Sequence, residues 1–291
     1  MPFKKLMTTF AQSSFAAGRY AAFRPSYHSQ RLAQNLLGYH TGQQTRALDV
    51  ATGTGQVATS ISSLFSHIDA IDASTSMLTA ANTTLPNISY ALGTAEKLNA
   101  EDQFYDAITV AQALHWFDRP RFFSESLRVL KPNGTLMILG YTFHKHRHPA
   151  SREILLNYAL GTLGAYWESG REYLDQHYIG VEKQLLEHGF VDIQRREWNN
   201  VDSWDNDTCC LGLWNEKGIS RQISLDQLQG YLSTWSSYKR WCDAGNNPNI
   251  VRDCVAAIGK AEGVHSDDPQ EWTRECVDVA WEQFIILARR P

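Results

Sequence analysis

Several familiar features are missing from this sequence of 291 residues. Its five cysteines contain no C-x-x-C pair, which removes the usual redox and zinc spacings, and the adjacent Cys209 and Cys210 read as neighbouring thiols in a reducing compartment. No apolar run approaches the roughly 20 residues of a membrane helix. Positive charge is not in excess: 27 Lys and Arg against 31 Asp and Glu leave a net charge of −4. A general nucleic-acid binder would instead carry a basic footprint. There is no P-loop, no nucleophile elbow, no internal repeat and no low-complexity linker. The opening "MPFKKLMTTFAQSSFAAGRY" has two lysines but no continuous apolar segment, a poor secretory signal, which leaves a weak organelle-targeting reading open and makes the cytoplasm the expected location.

What is present is a regular alternation. From Arg46 onward, "RALDVA", "HIDAID", "NISYAL", "YDAITVAQA" and "TLMILGY" read as strands. Helical patterns lie between most of them, at Gly55 to Phe65, from Ser74 (a plausible N-cap) to about Thr84, and from Pro120 to Leu130. Strands joined by single helices imply right-handed crossovers and a parallel sheet. Further on, "REYLDQHYIGVEKQLLEHGF" reads as one helix ending at Gly189, and "VDIQRREW" as a sixth strand. In "SLDQLQGYLSTWSSYKRWCDA", Ser224 and Gln227 form a capping box, and Leu225, Leu228, Leu232, Trp235 and Tyr238 recur at helical spacing. The closing "VDVAWEQFIILARR" reads as a last strand antiparallel to the sixth. The expected architecture is an α/β, Rossmann-like, doubly wound sheet of seven strands with an antiparallel last strand. Its parts are an N-terminal helical lid (1–45), a cofactor-binding core (46–200), a helical lid insertion (201–275) and the last strand (276–291).

The glycine loop after the first strand, "LDVATGTGQVA", satisfies G-x-G-x-x-G/A from Gly53, and Asp72 lies 19 residues beyond it. That is the dinucleotide fingerprint, so a nicotinamide enzyme is one reading. Asp49 opposes it, because an acid at the end of the first strand would face a pyrophosphate at the helix N-terminus. S-adenosylmethionine has no phosphate, and its amino-acid end carries an ammonium that an acid can hold; Asp49 otherwise braces the loop. Gly53 and Gly55 serve either ligand by letting the backbone approach closely. Asp72 can accept both ribose hydroxyls or cap the helix at Ser74. In "GTAEKL", Thr94, Ala95 and Glu96 fall near the adenine edge.

Together "LDVATGTG", "DAIDAS", "GTAEKL" and "RVLKPNGTLMI" resemble the class I S-adenosylmethionine-dependent methyltransferases over about residues 15 to 140. Ala51 departs from the glycine more common in that family. The resemblance implies S-adenosyl-L-methionine as cofactor and adds Tyr20, Ala51, Ala73, Met77 and Gln112 to its expected contacts. Within the family, "RYAAFRPSYHS", "ALHWFD", "YWESGRE", "YLSTWSSYKRW" and "VAWEQF" resemble the trans-aconitate methyltransferase group, which implies O-methylation of a small carboxylic acid.

Candidates for acceptor chemistry follow from charge and position. His115 would act as base toward a hydroxyl acceptor, or brace the pocket; Trp116 beside it packs over the cofactor or in the core. Arg24 and Arg171 offer bidentate guanidinium forks to an anion, against an ordinary salt bridge for each. Tyr20, Tyr166, Trp167, Trp235 and Tyr238 would wall the pocket, although Trp235 and Tyr238 at helical spacing also suit a core. His144, His146 and His148 alternate in "HKHRH", but no Cys or acid lies nearby, so no metal is expected and the segment reads as a polar loop over the substrate mouth. The expected partner is a small-molecule acceptor, with neither nucleic acid nor membrane. Two alternatives stay open: a nicotinamide oxidoreductase, and a protein that binds the cofactor without transferring methyl.

Overall fold

A computed structural model describes residues 9–12, 16–25, 27, 29–81, 83–198, 214–215, 218–264 and 273–291. Two short helices come first, α1 (Ala17–Phe23) and α2 (Ser29–Leu37). The parallel half of the sheet then follows: β1 (Arg46–Val50), α3 (Gln56–Ser60), β2 (His67–Asp72), α4 (Thr75–Thr79), β3 (Ile88–Leu92), β4 (Tyr105–Ala111), α5 (Arg119–Val129) and β5 (Leu130–His146). Next are α6 (Pro149–Leu156), α7 (Arg171–Asp175), α8 (Val181–Glu187) and β6 (Val191–Trp198). The chain closes with β7 (Trp214–Asn215), β8 (Gly218–Ser224), α9 (Leu225–Ser233), α10 (Ser236–Asp243), α11 (Ile250–Ala261) and β9 (Cys276–Arg289).

The sheet runs β3-β2-β1-β4-β5-β9, then β8 and β7, with β6 also paired to β9. β1 to β5 are parallel, and β9 is antiparallel to β5, β6 and β8. The expected seven strands and the reversed last strand are therefore present. β9 exceeds the expectation, because its 14 residues pair with β6 from Gln283 to Arg289 and with β8 from Cys276 to Trp281. The segment expected to be a purely helical insertion thus also adds the β7–β8 hairpin to the sheet. β4 is central and buried on both faces, as the run YDAITVA suggests. Among the described residues, no helix is long and apolar enough to cross a membrane.

Five segments differ from the sequence expectation. The helices at Gly55 and Ser74 are shorter than expected, α3 passing into a 3-10 turn at Ser62–Leu64 and α4 ending at Thr79. Ser74 is nevertheless its N-cap, accepting from Met77 N at 3.3 Å. The helix expected to end at Gly189 is two helices, broken where His177 and Tyr178 both take a left-handed φ of 54°. The helix expected over 224–243 is also two: its Ser224–Gln227 capping box is present, but Trp235 stands between α9 and α10 as the N-cap of the second.

The fifth is "HKHRH", which is not a loop. Extension of β5 carries His144 and His146 into register with Trp281 and Val279 of β9, where they are 1% and 0% exposed. As alternation requires, the two rings share a face, with Nε2 atoms 3.2 Å apart. Glu262, just past α11, approaches His146 at 3.6 Å, while His148 precedes α6 and is exposed. No group of three or more His, Cys, Asp or Glu among the described residues could hold a metal. Cys209 and Cys210 lie outside the described residues.

Candidate active site

Open α/β sheets bind ligands at the carboxyl ends of their strands, near the reversal of strand order. Here that place is between β1 and β4, and a cleft opens there. Its floor is the loop Ala51–Gly55. Ala51 has φ 54°, Gly53 58° and Gly55 81°, so the glycine more common at the first position has a conformational reason. An alanine there stores about 1–2 kcal/mol of backbone strain. At Gly55 the limit is steric as well, since an added Cβ would meet the Tyr90 hydroxyl oxygen.

Asp49 lies beneath this loop and is 2% exposed. Its Oδ2 accepts from the Thr52 hydroxyl at 2.6 Å and from Ala58 N at 3.3 Å, and its Oδ1 accepts from the Thr109 hydroxyl at 2.6 Å. Burial still pushes its carboxyl up to about 6, against these hydrogen bonds. It makes no ion pair among the described residues. Asp72, at the end of β2, accepts from Gly53 N and Ser74 N, both at 2.8 Å. It therefore ties the glycine loop to the second strand, and burial raises its carboxyl as well. Each of these acids braces backbone, and each lines the cleft.

The remaining expected cofactor positions converge on the same wall. Tyr20, Ala51, Gly53, Ala73, Met77, Ala95, Glu96 and Gln112 all line the cleft, whereas Gly55 lies behind it as the N-cap of α3. Gln112 has φ 55°, donates its side-chain amide to Tyr141 O at 2.9 Å, and follows directly on β4. Thr52, Thr54, Tyr27 and Phe10 also line it; the sequence reading did not single them out, and in Tyr27 and Phe10 no local pattern marks a cleft residue.

The acceptor candidates divide. Arg24, His115, Trp116, Trp167 and Arg171 line the cleft; Tyr166, Trp235 and Tyr238 do not. Trp235 is instead packed with Phe143, Tyr158, Trp167 and Tyr231. Tyr166 packs on Trp241 and receives Asn246 Nδ2, and Tyr238 donates to Pro248 O. Helical spacing marked a core face here, and Ser236 is the cleft residue from α10. Arg171 is bound to Asp175 through Nε at 3.0 Å and Nη2 at 2.8 Å, the ordinary i,i+4 pair.

Arg24 has no such acid. Its Nε donates to the Thr234 hydroxyl at 2.9 Å and its Nη2 to Thr234 O at 3.2 Å, and it lies 4.9 Å from the Tyr20 ring and 5.5 Å from the Tyr231 ring. Burial works against its charge, but Tyr141, Tyr20 and Tyr231 outweigh this and hold it above the ordinary arginine value. Among the described residues no carboxylate pairs with it. His115 receives or gives a hydrogen bond at Nδ1 with the Tyr178 hydroxyl at 2.8 Å. Burial, followed by the Arg171 charge, pulls its imidazole down to about 3.

Among the described residues, the cleft thus offers Asp49 and Asp72 without a paired cation and Arg24 without a paired acid. This donor set suits the zwitterionic end and ribose of S-adenosylmethionine better than a pyrophosphate, which would meet Asp49.

Residues 48–138 match the family model of a methyltransferase domain. Two relatives match along nearly the whole chain. A Dictyostelium discoideum protein provisionally named a methyltransferase is 27% identical over 93% of this chain and 92% of its own. A Saccharomyces cerevisiae protein provisionally named an S-adenosylmethionine-dependent methyltransferase is 22% identical over 97% and 98%. The fold is shared with a solved structure from Anaeromyxobacter dehalogenans, described provisionally as a type II methyltransferase. Its TM-score is 0.69 at 22% identity, covering 92% of this chain and 98% of that one. With the matched domain and these relatives in agreement, the chain carries a methyltransferase domain and is an S-adenosylmethionine-dependent methyltransferase, with S-adenosyl-L-methionine as its cofactor.

Proposed function

We propose that this methyltransferase acts on a small carboxylic acid and methylates it on oxygen, as its likeness to the trans-aconitate methyltransferase group implies. The observation that carries this reading is Arg24, a half-buried cation in the cleft wall without a carboxylate among the described residues. A guanidinium in that state is stabilised by an anionic ligand, which it can grip with two parallel hydrogen bonds.

The cofactor supplies a methyl group on a sulfonium, and the chain's task is to orient and enclose. Asp49 holds the cofactor's ammonium and Asp72 its ribose hydroxyls. Arg24 aligns the acceptor carboxylate, and Trp116, Trp167 and Phe10 exclude water from the reacting atoms. Helices α1 and α9 pack together as a cover, joined by the Arg24–Thr234 hydrogen bonds. A carboxylate is already ionised and needs no base, so positioning alone can contribute about 7–11 kcal/mol to the barrier reduction. The alternative acceptor, a hydroxyl deprotonated by His115, is disfavoured because an imidazole near 3 is a weak base.

A panel of di- and tricarboxylates incubated with labelled cofactor should give a methyl ester. Arg24→Ala should then raise the acceptor KM at least about tenfold while leaving S-adenosylhomocysteine affinity near wild type. Formation of no ester across the panel, or intact turnover in Arg24→Ala, would end the carboxylate reading.

A further inference from the structure

Tyr178 was not marked by any sequence signal, yet it is fully buried and its hydroxyl meets His115. Its placement is costly. His177 and Tyr178 are consecutive non-glycine residues at φ 54°, the left-handed region that side chains with a Cβ disfavour. Such strain persists where the surroundings over-determine it, and here they do. Arg195 on β6 donates to the carbonyls of both residues, at 2.8 Å to His177 O and 3.4 Å to Tyr178 O. The His177 ring stacks on Phe284 of β9 with centroids 5.1 Å apart and lies near Glu197 and Glu282.

The hydrogen-bond inventory at Tyr178 gives the pair a direction. Among the described residues, His115 Nδ1 is the one group within hydrogen-bond geometry of this buried hydroxyl. Were Nδ1–H the donor, the phenol O–H would stay buried without an acceptor, so the hydroxyl donates to His115 Nδ1. An imidazole that accepts at Nδ1 carries its proton on Nε2. No described group hydrogen-bonds Nε2, and the ring lines the cleft. The charged group that faces this ring is Arg171 of α7, and it opposes a second proton.

Resting on the reading of the acceptor as a carboxylate, we propose that His115 presents Nε2–H to an acceptor oxygen as a fixed neutral donor, with Tyr178 as the positioning residue that sets its tautomer. In the transfer the acceptor oxygen forms the new bond to the methyl carbon, the carbon–sulfur bond breaks, and its electron pair stays on sulfur. His115 neither gains nor loses a proton. It fixes one carboxylate oxygen while Arg24 holds the acid from another side of the cleft.

Two measurements test this. In protein labelled with 15N-histidine, His115 should show the Nε2-protonated neutral tautomer from about pH 5 to pH 8 without titrating. Tyr178→Phe should turn that signal into a tautomer mixture. The Nδ1-protonated form, or a titration inside that range, overturns the proposal whatever the acceptor proves to be. In turnover with an accepted carboxylate, His115→Gln keeps an N–H donor but cannot act as a base. It should stay within about tenfold of wild-type kcat/KM, whereas His115→Ala should lose about 10- to 150-fold, both with unchanged S-adenosylhomocysteine affinity. Equal losses of about 10²- to 10⁴-fold in both variants would identify a base and overturn the proposal. If the carboxylate panel fails while the tautomer is as stated, only the identity of the acceptor is wrong.

Discussion

Asp49→Asn separates the two duties of the acid beneath the glycine loop. The carboxyl is raised from 3.8 to about 6 by burial, so keeping it ionised at neutral pH costs the fold about 3 kcal/mol. The sign follows from the order of the two values. The folded value lies above the unfolded one, so the penalty is absent below 3.8, grows as pH rises toward about 6, and is complete above it. Asparagine removes that charge. It can still accept from Thr52 and Ala58, but its NH₂ replaces an acceptor opposite Thr109, whose hydroxyl must turn, at about 1 kcal/mol. The net expectation for the free protein is a gain of about 2 kcal/mol at pH 8, a rise in Tm of about 3 °C, shrinking as the pH is lowered toward 5. Cofactor binding should move the other way. Loss of a charge-assisted hydrogen bond to the ammonium should weaken S-adenosylhomocysteine by about 10- to 150-fold, and wild-type affinity should fall as pH drops below about 6. Thermal melts across pH and calorimetric titration read both quantities. An asparagine variant that melts lower at pH 8 and binds as tightly as wild type would refute the reasoning and leave Asp49 as a brace alone.

Asp72→Ala should lower S-adenosylhomocysteine affinity at least about tenfold by calorimetry, and also lower Tm because Gly53 N and Ser74 N lose their acceptor. Ala51→Gly should raise Tm slightly, since relief of about 1–2 kcal/mol of left-handed strain exceeds the 0.4–1 kcal/mol, roughly, of added unfolded-state entropy; a lower Tm would show that the alanine methyl packs usefully. Gly55→Ala should lower both Tm and cofactor affinity, because φ 81° and the Tyr90 hydroxyl both oppose a Cβ. In maleimide labelling, Cys254, buried and pushed up to about 12, should react far more slowly than exposed Cys276 until the protein unfolds.

The alternation of strands and helices, the glycine loop and the acids Asp49 and Asp72 were legible in the sequence, because each depends on neighbours a few positions away. Periodicity sets which face a strand buries, and a loop between a strand and a helix has few conformations. Those rules led from "LDVATGTG" to the cofactor cleft. They were insufficient wherever distant chain segments supplied the deciding contact. "HKHRH" looks like a polar loop, and only the long ladder to β9 makes it a strand with two buried histidines. Trp235 and Tyr238 show helical spacing, which says that a face is buried but not what covers it; tertiary packing put Trp235 in the core and left Tyr238 half-buried against it. Arg171 and Arg24 are indistinguishable as residues, and the difference between them is a single acid, Asp175, one turn from the first. Tyr178 reaches His115 from 63 positions away through a strained turn held by Arg195. Local pattern determined the framework and the cofactor loop, whereas the charge state and hydrogen-bonding direction of the acceptor groups depend on burial and long-range partners, which only the folded chain brings together.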